Sequence, residues 1–266
     1  MRRAWFPIAL ASALAVALTF LTLPVVAIFV ASSPADLVDS LGEPGVLDAL
    51  WLSLRTTAAA IALILVVGTP AAYLLATRSF RGKAIVVTLV ELPLVLPPAV
   101  AGIALLAALG PEGILGGALA DVGIELPLTT AAVVVALTFV ASPFYLRQAM
   151  AAFASVDQNL LDASRTLGAS EAHGFGRVAI PVAMPGLTAG AALALGRALG
   201  EFGATLMFAG SFQGITQTVP LAIYDRFSSD FDSALALSAI LVAVSAAILL
   251  SVKLVQGSEA LGGAGT

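Results

Sequence analysis

The sequence predicts an all-α, polytopic membrane protein with six transmembrane helices. Three observations lead there: the composition, six apolar stretches of span length, and a lopsided placement of Lys and Arg between them. Apolar residues are 60% of the 266-residue chain and charged residues 11%, against about 45–50% and about 25% in ordinary soluble domains. A bilayer core of about 30 Å needs roughly 20 helical residues. Cysteine is absent, which excludes disulfides and thiolate chemistry.

The first stretch is Phe6–Val30. Arg2 and Arg3 precede it as in a signal peptide, but the apolar run is longer than the about 7–15 residues of a signal core, so it reads as a retained span. Leu50–Leu75, Ala84–Leu109, Leu128–Leu146, Leu187–Ala209 and Ala234–Val255 follow. The spans are rich in Ala, with Gly in the second, third and fifth, which lets helix backbones approach closely. The connection Gly210–Ser233 holds Gly214, Pro220, Tyr224 and Phe227 and reads as a short re-entrant or surface helix.

The third stretch carries Pro93, Pro97 and Pro98. Each proline removes a backbone donor, so the helix must kink or break. Proline is accepted in a first turn, so a new half-helix can begin near Pro98, with the amides of residues 99–102 and a partial positive charge inside the membrane. The plainer alternative is a bend that fits the span to its neighbours. In the fifth stretch Arg197 and Glu201 are four apart and share a face. Charges at mid-bilayer cost about 2.5–3.5 kcal/mol each. The pair is therefore either a structural lock between helices or, with Thr205, Pro97 and Pro98, part of a gate or anion path. Arg55 reads as a snorkelling side chain, and Glu91 as a hydrogen-bonding partner of a neighbouring helix.

Orientation follows from Lys and Arg. One set of connections holds Arg2, Arg3, Arg78, Arg81, Lys83, Arg147, Arg165, Arg177 and Lys253, and the opposite set only Arg226. The opposite set is acidic, with Asp36, Asp39, Glu43, Asp48, Glu112, Asp121, Glu125, Asp225, Asp230 and Asp232. Both termini are expected to be cytoplasmic.

The longest polar interval is also on that side, Asp162 to Leu187. Phe153, Val156, Leu160, Ala163 and Leu167 recur at helical spacing among polar residues and predict an amphipathic helix. Gly168 is placed to stop it in a left-handed conformation. Ser170 is placed to cap a second helix with Glu171 in its first turn, and Pro181 and Pro185 to end that helix before the next span. The unpartnered apolar stripe either docks into a groove on a partner or rests on the lipid headgroups.

The chain lacks a nucleotide-binding loop: Gly82-Lys83 is followed by Ala84 and has no upstream glycine at the required spacing. His173 is the only histidine, which excludes a histidine-rich metal site, and no hydrolase constellation is present. The basic residues lack interleaved aromatics and read as topology signals, so no nucleic-acid partner is expected.

Asp162-Ala163-Ser164, Gly168 and Val178-Ala179-Ile180-Pro181 stand at the spacings of the EAA loop of ATP-binding-cassette importer permeases, which this region resembles. The departures, such as Asp for Glu and Ile for Leu before the proline, are mild. Leu92-Pro93-Leu94-Val95-Leu96-Pro97-Pro98 and Arg197-Ala198-Leu199-Gly200-Glu201-Phe202-Gly203-Ala204-Thr205 are similar to the molybdate and tungstate branch, with the sulfate branch close behind.

The resemblance spans about residues 47–255. It implies a type I-like permease fold, a single transmembrane domain over 1–266, and a cytoplasmic coupling loop at 147–186. It further implies a multi-pass protein of the cell membrane that works as a homodimer. Separate ATPase subunits would hold ATP and Mg, and an extracytoplasmic solute-binding protein would deliver the oxyanion. The chain would bind no cofactor and perform no covalent chemistry. Phe153, Leu160, Asp162, Ala163, Ser164, Leu167, Gly168, Ala169, Phe175 and Val178 are the expected ATPase-coupling residues. Rival readings are a sulfate or thiosulfate permease, an ion-coupled secondary transporter, and a membrane scaffold.

Overall fold

The computed structural model describes residues 5–262. Arg2 and Arg3, part of the orientation argument, lie outside them, as does the Lys253 side chain. The described residues are helical, without strands. In order they form α1 (Trp5–Ala31), α2 (Pro34–Gly42), α3 (Val46–Thr77), α4 (Lys83–Glu91), α5 (Pro98–Leu109), α6 (Gly116–Asp121), α7 (Thr130–Ala154), α8 (Gln158–Thr166), α9 (Glu171–Gly174), α10 (Ile180–Leu199), α11 (Gly203–Ala209), α12 (Val219–Phe227) and α13 (Phe231–Gly262).

Five helical stretches are long and apolar enough to cross a bilayer: Trp5–Ala31, Val46–Thr77, Thr130–Ala154, Glu171–Leu199 and Phe231–Ser251. The expected third span is instead a pair, Lys83–Leu94 and Pro98–Leu109, bent by 116°. Six spans result only if that pair is counted as one. A bend beyond a right angle turns α5 partly back along α4. The prolines therefore do more than kink the helix. A 3₁₀ turn at Leu92–Leu94 tightens the chain before Pro97, and Pro97 is extended, with ψ at 136°.

The fifth span also differs from expectation. Pro181 and Pro185 do not end the second helix of the finger, the polar helix–glycine–helix segment within 147–186. α9, a π-helical turn at Phe175–Ala179 and α10 run on as one stretch from Glu171 to Leu199. The widened turn precedes Pro181, whose ring and missing amide disrupt a regular ladder. The real interruption comes at Gly200–Phe202, after which α11 starts afresh at Gly203.

The core is a pack of α3, α7 and α10, with Ala60, Ile64, Val133, Ala136, Leu137, Tyr145 and Ala194 buried. Small residues set the spacing: Gly68 faces the Tyr145 ring, Gly186 faces Ala152, and Gly190 faces Gln148 and Tyr145. Thr69 Oγ1 donates to Leu65 O at 2.6 Å. It therefore accepts from the Tyr145 hydroxyl, also at 2.6 Å. α1 has no buried residue and touches mainly α13.

At the end remote from the finger, α12 is a short helix, as expected, with one face packed inward and Tyr224 and Phe227 exposed on the other. Val219 and Leu221 are fully buried, and the Val219 amide donates to Ser53 Oγ of α3 at 2.8 Å. Arg226 pairs there with Glu43 at 3.0 Å and donates to Pro44 O, tying α12 to the start of α3.

The two interrupted spans meet each other. α5 packs mainly on α11. A Cβ on Gly102 would stand 2.6 Å from Met207 Cβ and 2.7 Å from Ala204 O, and one on Gly203 would stand 2.7 Å from Pro98 Cβ. Only glycine permits this approach. Gly102→Leu and Gly203→Leu are each expected to cost about 1–3 kcal/mol through overpacking, read as a lower melting midpoint in detergent. Gly117→Ala, with nothing within 4 Å of the new methyl, should melt like the unsubstituted protein. Equal midpoints in all three would show that the contact is not tight.

Candidate functional site: the finger, the seam and the breaks

The finger is built from caps. α7 ends at Ala154, and Asp157 Oδ1 accepts from the Asn159 amide at 2.9 Å to start α8. At the other end of α8, Gly168 is left-handed at φ 84°. Its amide donates to Arg165 O at 2.9 Å and the Ala169 amide to Ser164 O at 3.0 Å, the paired closure of a Schellman motif. Ser170 Oγ then accepts from the His173 amide at 3.3 Å, with Glu171 in the first turn. The glycine stop and the serine cap stand where the sequence put them.

The apolar stripe does not. A single amphipathic helix through Phe153 and Leu167 was expected, but the chain breaks at Ser155–Asp157 and the helical phase restarts. Phe153 is 1% exposed, inside the core, so it is not a surface for a partner. It forms an aromatic cluster with Tyr73 of α3 at 5.3 Å and Phe175 at 6.2 Å, while Tyr73 and Phe175 are 4.8 Å apart. Leu161, which the stripe missed, is the buried residue of α8, whereas Leu160 and Leu167 are exposed, Leu167 at 88%.

Asp162 and Ala163 are exposed, and Asp162 accepts from Arg165 at 2.8 Å. Ser164, Ala169, Phe175 and Val178 are half-buried. Ser164, Leu167, Gly168, Ala169, Ser170, His173 and Val178 line an open depression of about 560 Å³ on the finger.

A groove runs along the seam of α7 and α10. One part, about 320 Å³, is lined by Ser155, Ala152, Val182, Pro185, Gly186 and Gln148. The next, about 580 Å³, is lined by Gln148, Phe144, Ala189, Leu193, Gly196, Arg197 and Leu249. Gln148 belongs to both, so the groove leads from beside the finger toward the break in the fifth span. Ser155 lies at its near end, Gln148 at the middle and Arg197 at the far end, and the wall between Gln148 and Arg197 is apolar. Neither Gln148 nor Phe144 was singled out in the sequence. Gln148 fell beyond the expected end of the fourth span at Leu146, and only the extension of α7 to Ala154 brings it inside the helix.

At the break, Arg197 Nη2 pairs with Glu201 Oε2. Glu201 is 1% exposed and Arg197 26%. Glu201 Oε1 accepts from the Ala204 amide at 2.7 Å, so the carboxylate caps α11 while holding the cation of α10. Thr205 is fully buried and its hydroxyl has no hydrogen-bond partner. Phe202 packs on Tyr224 of α12 at 5.0 Å. On the α5 side, Pro97 to Val100 are exposed in the isolated chain. The expectation that the amides of residues 99–102 would all be free needs correction: Ala101 donates to Pro97 O at 3.0 Å. Ala99 and Val100 are left as the first-turn amides without an acceptor in their own helix.

Of the remaining intramembrane charges, Glu91 faces Arg147 of α7 at 3.8 Å, and Arg55 is exposed on α3. Among the described residues no group of three His, Cys, Asp or Glu is placed to hold a metal.

The pair at the break makes a stability prediction. Arg197→Leu strands a buried carboxylate, at a cost of about 3–5 kcal/mol. Glu201→Leu strands a cation that can turn into the groove, and the double variant strands neither. Melting in detergent should therefore rank Arg197→Leu lowest, with the double variant clearly above it. An Arg197→Leu protein as stable as the parent would remove the pair's structural role.

Residues 68–258 match the family described as "Binding-protein-dependent transport system inner membrane component". The chain is 41% identical to the molybdenum transport system permease protein ModB of Mycobacterium tuberculosis, over 88% of this chain and 89% of that one. It is 36% identical to the probable transport system permease protein NifC of Clostridium pasteurianum, over 90% and 84%. With Escherichia coli K12 ModB it shares 38% over 66% and 78%. In fold it resembles a bacterial ABC transporter involved in the import of the acidic polysaccharide alginate, at a TM-score of 0.79 and 17% identity, covering 97% of this chain and 96% of that one. The MetNI methionine transporter follows at 0.62, with 20% identity and coverage of 80% and 95%. The chain is a multi-pass membrane permease and belongs to the family of binding-protein-dependent transport system inner membrane components.

Proposed function

We propose that this chain is the membrane-spanning subunit of an ATP-driven importer of molybdate, with tungstate as the alternative cargo. The relatives named as molybdenum permeases support the cargo, and none of the relatives named above is a sulfate permease. Family membership sets aside the ion-coupled transporter and the scaffold. The observation that carries the mechanism is the groove on the α7–α10 seam, which leads from beside the finger to Arg197 at the helix break.

In this reading the chain is one permease domain over 1–266, multi-pass, with both termini and the finger in the cytoplasm. It works as a homodimer around one path. ATPase subunits hold ATP and Mg and seat on the finger, where Leu160, Asp162, Ala163 and Leu167 are the exposed residues, Ser164, Ala169, Phe175 and Val178 flank them, and Gly168 sets the angle. A solute-binding protein delivers the anion on the opposite side. The chain does no covalent chemistry.

The path is bordered by Pro97 and Pro98 at one break and by Arg197, held by Glu201, at the other, with Thr205 behind them. A single partly engaged guanidinium and two first-turn amides make a weak anion site. Weak binding suits conduction, because an anion held firmly would not leave.

Reconstitution with the ATPase and the solute-binding protein tests this. ATP-dependent uptake of radiolabelled molybdate into proteoliposomes is expected, with tungstate competing and sulfate not. In the same system Gly168→Val, strained at its positive φ, should lower uptake and transport-stimulated hydrolysis. Gly168→Asn, which tolerates the left-handed region, should be milder. No molybdate uptake by the parent complex, or normal coupling in Gly168→Val, would contradict the reading.

A further inference from the structure

The finger is held to the end of α3 by a contact that lies outside its own motif. Arg78, the residue after α3, donates from Nη2 to both carboxylate oxygens of Glu171, each at 2.8 Å. Glu171 is the first residue of α9, whose helix runs on unbroken into the fifth span. The connection that carries Arg78 is itself fixed. Lys83 Nζ donates to Arg78 O at 3.1 Å, and Gly82 turns the chain at φ 84°. A second contact joins α3 to the π turn that follows α9, where the half-buried rings of Tyr73 and Phe175 meet at a tilt with centroids 4.8 Å apart.

Both groups of the ion pair are more than half exposed. Such a pair adds little to overall stability. What it does is geometric: it fixes where the second finger helix starts relative to α3. The sequence alone assigned Arg78 only to topology, since it is one of several cations flanking spans.

We propose that Arg78 is a positioning residue for coupling, holding α9 to the end of α3 so that finger and core move as one body during the ATPase cycle. This rests on the reading of the finger as the ATPase seat. An exposed pair biases geometry by a factor of about five at most, so its loss weakens coupling without abolishing it. The aromatic contact keeps the finger folded when the pair is removed.

The natural absence of cysteine makes the test clean. In the reconstituted complex, Arg78→Ala should lower the molybdate moved per ATP hydrolysed by about two- to fivefold. ATPase binding to the permease should persist. The charge exchange Arg78→Glu/Glu171→Arg should recover part of the loss. In Arg78→Cys/Glu171→Cys, coupling should be low until the two thiols are bridged by a short bis-methanethiosulfonate reagent. The bridge should then restore it, and reductant should reverse the restoration. A double-cysteine protein that couples fully without the bridge, or one whose coupling the bridge lowers or leaves unchanged, overturns the proposal. Failure of the parent complex to couple at all would instead count against the transport reading.

Discussion

A helix broken inside a membrane leaves backbone groups that water cannot reach, so something in the protein must hold the loose ends. Here two breaks hold each other. α5 begins after Pro97 and α11 after Phe202, and the two half-helices press together at Gly102 and Gly203, where no side chain fits. Glu201 completes the arrangement by capping α11 with one oxygen and pairing Arg197 with the other. The shape of the remaining structure follows. The core of α3, α7 and α10 can be regular because both irregular stretches are gathered on one neighbour, and the seam groove has a charged end because the break brings Arg197 there.

Much of this was legible in the residues. Composition and span-length runs gave the class, because burying backbone in lipid admits few solutions. Gly168 and Ser170 announced a turn whose chemistry is local, and the structure has both. What escaped the sequence depends on neighbours. Pro181 and Pro185 look like helix breakers, yet a π turn upstream lets the helix continue. The stripe from Phe153 to Leu167 has helical spacing, but the cap at Asp157 restarts the phase, so Phe153 turns into the core and Leu161 takes the buried place. The severity of the bend at Pro97–Pro98 was also out of reach, since prolines remove donors without stating the angle. Arg78 stood out only as one of the cations that set orientation, and Gln148 was not singled out. Their importance comes from what stands opposite them.

In the proposed mechanism these features divide the work. The finger receives motion from the ATPase, and Arg78 and the aromatic cluster of Tyr73, Phe153 and Phe175 pass it to the cytoplasmic ends of α3 and α7. The seam connects that region to the break. An anion would meet one guanidinium already engaged with Glu201 and the first-turn amides of Ala99 and Val100, which have no acceptor in their own helix. Direction would then be set by the delivering protein and by the ATPase cycle, and no deep binding site inside the membrane would be required.

The central claim is that the breaks and the seam border an aqueous path. Single cysteines at Ala99 and Leu193, both exposed in the isolated chain, test it in proteoliposomes of the assembled transporter. Leu14 of α1, equally exposed, serves as the lipid-facing control. A charged, membrane-impermeant thiosulfonate applied to both faces should modify positions 99 and 193 at rates that change when ATP is supplied, and should leave position 14 untouched. If positions 99 and 193 prove as inert as position 14, the breaks face lipid or packed protein, and the path does not run there.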